Sequence, residues 1–127
     1  MVAKSGKLVW AGRVLTVLVS LMFLLSAAMK FLGGEELKKG MEQMGLAESL
    51  AVPLGILELA CVVIYLVPAT SILGAILLTG YLGGAICTHL RIGDPFIIHI
   101  VLGVVIWLGI YFREPRLRTL IPVRRGE

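Results

Sequence analysis

The chain has 127 residues, of which 58% are hydrophobic and only 16% are charged, with a mean hydropathy of +0.97. A water-soluble domain of this length leaves too much of its surface facing solvent to hide that apolar content in one core, so lipid must cover the remainder. The formal net charge of +4 does not indicate nucleic acid, because the Lys and Arg residues stand at the ends of apolar runs instead of along one face.

The first apolar run, residues 14–29, carries no charge and lies between Arg13 and Lys30. With its flanks it predicts a membrane-spanning helix over residues 10–32. Lys4, Lys7 and Arg13 resemble the basic start of a signal peptide. The run is longer than the apolar stretch of such a peptide, however, and Lys30-Phe31 makes a poor cleavage neighbourhood, so a retained helix is expected.

Residues 33–49 are polar, with Glu35, Glu36, Lys38, Lys39, Glu42 and Glu48, yet Leu37, Met41 and Met44 recur at helical spacing. This pattern predicts a short amphipathic helix lying on the bundle or at the interface, as a lid or connector. A second span over residues 50–67 contains one charge, Glu58, and stops at Pro68. A third, over 71–90, follows after so short a break that the two form a helical hairpin. Gly80 and Gly84 make a GxxxG step in it, with Thr88 continuing the spacing, a pattern that suits close helix packing in lipid.

Arg91 and Asp94 are expected to pair across the turn before Pro95. A fourth span, residues 96–112, ends in the interfacial aromatics Trp107, Tyr111 and Phe112. A short basic tail, 113–127, completes the chain. Residues 1–127 thus read as a single all-α membrane domain, an antiparallel four-helix bundle with one amphipathic helix between its first two spans. Cys61 and Cys87 lie inside apolar runs without C-x-x-C spacing and read as small apolar residues.

Lys4, Lys7, Arg13, Arg113, Arg116, Arg118, Arg124 and Arg125 flank the chain's ends, whereas Lys30, Lys38, Lys39 and Arg91 fall on the other side. Basic flanks stay cytoplasmic, which places both termini inside and residues 33–49 outside in a multi-pass cell-membrane protein. The tail's basic residues then read as determinants of topology.

Ionisable groups inside spans cost a few kcal/mol unless paired or hydrated, so function is sought there first. Glu58 lies about eight residues into the second span, roughly 12 Å deep. Lys30, His89 and His99 fall near the outer ends of the other three spans, and Tyr81 shares the face of Ala85 and His89. A ligand-binding or proton-exchanging pocket lined by Lys30, Glu58, Tyr81, Thr88, His89 and His99 is therefore expected in the outer half, with the cytoplasmic half nearly free of charge. A structural Lys30–Glu58 ion pair accounts for the same residues equally well. Metal ligation by Glu58, His89 and His99 lacks close ligand spacing, so no metal is assigned.

The segments SAAMKFLGG, MEQMGL, LGILELA and TGYLGGAICTHLRIGDP together resemble the DoxX-like family of small four-helix bacterial membrane proteins, over residues 20–113. The spacing of Lys30, Glu58 and His89, with the Thr88-His89 step and Gly93-Asp94, carries the resemblance. Relatives in the wider DoxX and DoxD group are associated with thiosulfate:quinone oxidoreductase and with membrane-bound oxidoreductase assemblies. The resemblance thus implies a bacterial inner-membrane protein that accompanies a redox partner protein. The chain has no haem, flavin or iron–sulfur signature, so any redox role needs quinone or a partner.

Three readings remain open: a binding or accessory subunit holding a quinone or lipid, a structural or assembly protein, and a small transporter, which the lack of an internal repeat disfavours. The expected partners are membrane lipids and that redox protein, with homo-oligomers permitted by the glycine steps. No reaction is assigned by the residues themselves.

Overall fold

A computed structural model describes residues 6–126. Lys4 of the amino-terminal basic flank and Glu127 of the tail lie outside the described residues. The described chain is helical, in the order α1 (Gly6–Leu32), α2 (Glu35–Met44), α3 (Ala51–Leu66), α4 (Ser71–Arg91), α5 (Ile97–Arg113) and α6 (Pro115–Arg118). Helix α1, helix α3 with its preceding turn, and helix α4 with its preceding turn are each long and apolar enough to cross a membrane, while α5 is apolar and shorter, at 17 residues.

Each boundary has a local cause. Gly33 and Gly34 take positive φ angles of 70° and 105°, which other residues rarely adopt, and so separate α1 from α2. Gly45 ends α2 in the left-handed conformation, with its N–H and that of Leu46 donating to Glu42 and Met41 carbonyls, a Schellman-type stop. Between α3 and α4, the Thr70 and Ser71 hydroxyls donate to the Ile64 and Tyr65 carbonyls at 2.7 and 2.9 Å. They satisfy acceptors that the end of α3 leaves open. Arg118 does the same for α5, donating to the Tyr111 and Phe112 carbonyls at 2.8 and 3.0 Å.

Helix α1 buries Gly12, Thr16, Val19, Ser20, Phe23 and Ala27, one stripe at the helical period. That stripe packs on α3 and α5; α3 packs in turn on α4, and α4 on α5, the least extensive of the four contacts. Val19, Phe23, Val62, Tyr65, Leu78, Leu82, Ile106 and Ile110 form the core. The opposite faces expose Leu18, Leu25, Leu57, Ile76 and Val104. So continuous an apolar exterior is unfit for water and suited to hydrocarbon.

Helices approach closely where a glycine removes Cβ. A Cβ on Gly12 would stand 2.6 Å from the Gly109 carbonyl oxygen, and one on Gly74 2.3 Å from Tyr65 Cα. The GxxxG step brings no helices together within this chain: Gly80, Gly83 and Gly84 have nothing within 4 Å of a built Cβ. These three glycines face outward, and Gly12, Gly74 and Gly109 bring the helices together.

The region read as a basic tail folds back on the helices. Leu117 of α6 is buried, and Ile121 and Pro122 lie against the seam between α4 and α5.

Candidate functional site

Lys30 occupies the last turn of α1, where its charge complements the helix dipole. Its ammonium donates to Ser26 Oγ at 2.7 Å and to Glu58 Oε1 at 3.1 Å. Glu58 is 2% exposed, and this pairing is what makes a carboxylate tolerable there. Gly55, one turn before Glu58, lets the helices meet, since a Cβ there would lie 2.9 Å from the Phe31 ring and 3.2 Å from Lys30 Cβ. Cys61 and Tyr81 both stand within electrostatic reach of Glu58, and Tyr81 packs edge-on against Phe23, with centroids 6.5 Å apart.

The second cluster joins α4 to α5. The His89 and His99 rings lie 4.4 Å apart between centroids. His89 Nδ1 is 2.7 Å from the Ala85 carbonyl, which can only accept, so that nitrogen carries the hydrogen. His89 Nε2 stands 3.7 Å from Asp94 Oδ2, an ion pair when the ring is protonated. His99 Nδ1 is buried, and the Phe96 backbone lies within hydrogen-bonding reach of the ring.

Of the six residues expected to line one pocket, the structure thus brings Lys30 together with Glu58, sets Tyr81 beside them, and pairs His89 with His99. Thr88 turns back to donate to the Gly84 carbonyl at 2.8 Å and joins neither cluster. Two cavities open near these residues, and neither is lined by all six. One of about 260 Å³ opens beside Lys30, Ser26 and Leu37 of α2. A larger one of about 650 Å³ runs between α4 and α5 and has His99 in its wall. Among the described residues no group of three His, Cys, Asp or Glu side chains is arranged to hold a metal ion.

The expected Arg91–Asp94 pair does not form. The Arg91 guanidinium donates to the Met44 carbonyl, holding the end of α2, because that helix terminus offers free acceptors nearby. Asp94 turns to His89 instead.

Sequence reasoning missed a polar node at the opposite end. Arg113, read there as the start of a basic tail, points between the helices and donates to Thr16 Oγ1 at 3.1 Å and Ser71 Oγ at 3.5 Å. Its guanidinium lies 5.9 Å from the centroid of the Tyr65 ring, and the Tyr65 hydroxyl donates to the Ile106 carbonyl at 2.7 Å. This half of the chain is therefore not free of charge inside its flanks. The usable signal was Thr16 and Ser71, polar residues at helix positions that otherwise call for apolar ones.

The model of the DoxX-like family matches residues 14–112, a stretch that takes in both clusters and most of the chain. The chain belongs to the DoxX-like family. No curated protein and no solved structure matches it. This DoxX-like membrane protein therefore shows what its residues can do mainly through geometry: a buried carboxylate held by an ammonium, with a phenol and a thiol within electrostatic reach, and two imidazoles packed at a tilt at the neighbouring helix ends. Such groups can hold or exchange a proton and hydrogen-bond the head of a lipid-soluble molecule.

Proposed function

We propose that this DoxX-like protein is a four-span antiparallel bundle in the bacterial inner membrane, with both termini cytoplasmic. In this reading it serves as a binding or accessory subunit of a membrane redox system. Its ligand is a quinone- or lipid-like molecule held in the outer half, bounded by Lys30, His89 and His99 near helix ends and by Glu58 and Tyr81 at the middle of α3 and α4. Topology rests on the basic residues: Lys7, Arg13, Arg113, Arg116, Arg118, Arg124 and Arg125 flank one side and Lys30, Lys38, Lys39 and Arg91 the other.

The observation that carries the ligand reading is Glu58, a carboxylate almost wholly buried in an apolar helix and held by one partially accessible ammonium. Intramembrane carboxylates of this kind mark proton or ligand sites more often than chance placement would allow. Lys30 remains accessible from the side through the cavity under Leu37, a route by which a lipid-soluble head can reach it. A redox partner protein supplies the electron carrier in this account.

Calorimetric titration of the purified protein with a decyl-substituted benzoquinone tests it. Glu58→Gln lowers affinity at least tenfold with helicity retained, and unchanged affinity contradicts the proposal. A structural role is the second reading, favoured by the closed Ser26–Lys30–Glu58 hydrogen bonding. It expects the same variant to lose thermal stability and leave any ligand binding untouched.

A further inference from the structure

The Gly33-Gly34 pair reverses the chain at the end of α1, so the first apolar residue of α2 comes back beside the Lys30 turn. Leu37 and Lys30 share the walls of the cleft of about 260 Å³, together with Met22, Leu25, Ser26 and Met29 of α1. Met22, Leu25 and Met29 are exposed on a helix long and apolar enough to cross a membrane, so the cleft opens sideways towards hydrocarbon. Its volume lies just below the usual range of small-molecule sites, enough for a compact head with any chain left in the lipid.

The polar end of the cleft is one ammonium group. An ammonium has three hydrogens to donate. Among the described residues only Ser26 Oγ and Glu58 Oε1 accept from Lys30, which leaves the third for a ligand oxygen. Glu58 already balances the charge, so a neutral acceptor suits it better than an anion. The Lys30 side chain is only 17% exposed, and Leu37 is the residue of α2 that stands at the cleft.

Helix α2 is fastened at one end and jointed at the other. Met41 is its one buried residue, and the Arg91 guanidinium clasps the Met44 carbonyl. At the other end Gly33 and Gly34 meet nothing within 4 Å of a built Cβ, and Glu35, Glu36, Lys38 and Lys39 are exposed. Elements with so few buried contacts open at low cost, and short joints of this kind absorb the backbone change.

We infer that α2 is a hinged cover on the Lys30–Glu58 site. It swings about Gly33-Gly34 when the Arg91 clasp releases, and lifting Leu37 admits a neutral, lipid-soluble molecule whose oxygen accepts the third Lys30 hydrogen. The inference rests on the ligand reading above and adds the way in and the residues that control it.

Amine labelling of the full chain in phosphatidylcholine vesicles reads the cover directly. Phenyl isothiocyanate partitions into lipid, whereas its para-sulfonated form stays in water. Both convert accessible amines to thioureas, which peptide mass spectrometry follows at each lysine. Lys30 is expected to react at least tenfold faster with the lipid-soluble reagent, and Lys38 and Lys39 without that preference. Arg91→Ala and Leu37→Ala each raise the Lys30 rate at least fivefold and leave Lys38 and Lys39 unchanged. Gly40→Ala, whose Cβ meets nothing within 4 Å, strengthens α2 without touching joint or clasp and leaves the Lys30 rate as it was.

A Lys30 rate indifferent to both Arg91→Ala and Leu37→Ala overturns the cover. Equal labelling of Lys30 by the sulfonated reagent overturns entry from the bilayer. Slower labelling in Gly40→Ala means that α2 opens by unfolding, and overturns the hinge. A decyl-substituted benzoquinone is expected to slow Lys30 labelling at least fivefold in wild type. Gated labelling that the quinone fails to slow supports the cover and contradicts the ligand reading. Protection by the quinone without gating does the reverse.

Discussion

Lys30 and Glu58, 28 positions apart in the chain, meet at 3.1 Å and tie the end of α1 to the middle of α3. The contact depends on Gly55, whose missing side chain admits Lys30 and Phe31, and on Ser26, which accepts a second ammonium hydrogen.

Removing one partner leaves the other charge buried without compensation, so Lys30→Met is expected to cost about 3 kcal/mol. Glu58→Leu combined with Lys30→Met recovers most of that loss. Thermal unfolding in detergent of the two single variants and the double variant measures the coupling, and additive losses would falsify the pairing.

Glycines on the two sides of the helices are predicted to behave oppositely. Gly74→Ala and Gly12→Ala force backbone apart and cost about 2 kcal/mol each. Gly80→Ala and Gly84→Ala meet open space and gain up to about 1 kcal/mol from helix propensity. Melting temperatures of the four variants decide it.

Tyr65→Phe removes the buried hydrogen bond to the Ile106 carbonyl and is expected to cost about 1 kcal/mol. Arg113→Met also removes the contacts to Thr16 and Ser71, so its loss should be the larger of the two. Equal melting of Arg113→Met and wild type would place Arg113 in the solvated flank after all.

Arg91→Ala releases the end of α2 from its anchor at the Met44 carbonyl. Because Arg91 is exposed, global stability changes little, and the effect appears as faster amide hydrogen exchange confined to residues 35–46. Uniform exchange along the whole chain would contradict a local anchor.

The helices were legible because their cause is local: apolar runs long enough to span, broken at Gly33-Gly34, Pro68 and Pro95. The amphipathic segment was legible through Leu37, Met41 and Met44, of which Met41 is buried. Pairings were harder. Lys30 and Glu58 could be matched by depth, since each is an isolated charge in an apolar run. Arg113 was missed because a basic residue after a span looks the same whether it snorkels to water or turns inward. Arg91 and Asp94 were paired by proximity in sequence, whereas their partners, Met44 and His89, come from the packing of α2 and the end of α4. Which side of α4 its glycines occupy was not legible for a related reason, since a GxxxG step does not say which side of the helix faces the core.

Native mass spectrometry of the detergent-purified protein tests the central claim most directly. Wild type is expected to carry one lipid-soluble molecule per chain, released by Glu58→Gln with the fold intact. A wild-type spectrum free of ligand, or an adduct that Glu58→Gln retains undiminished, would contradict a binding site built on the buried carboxylate.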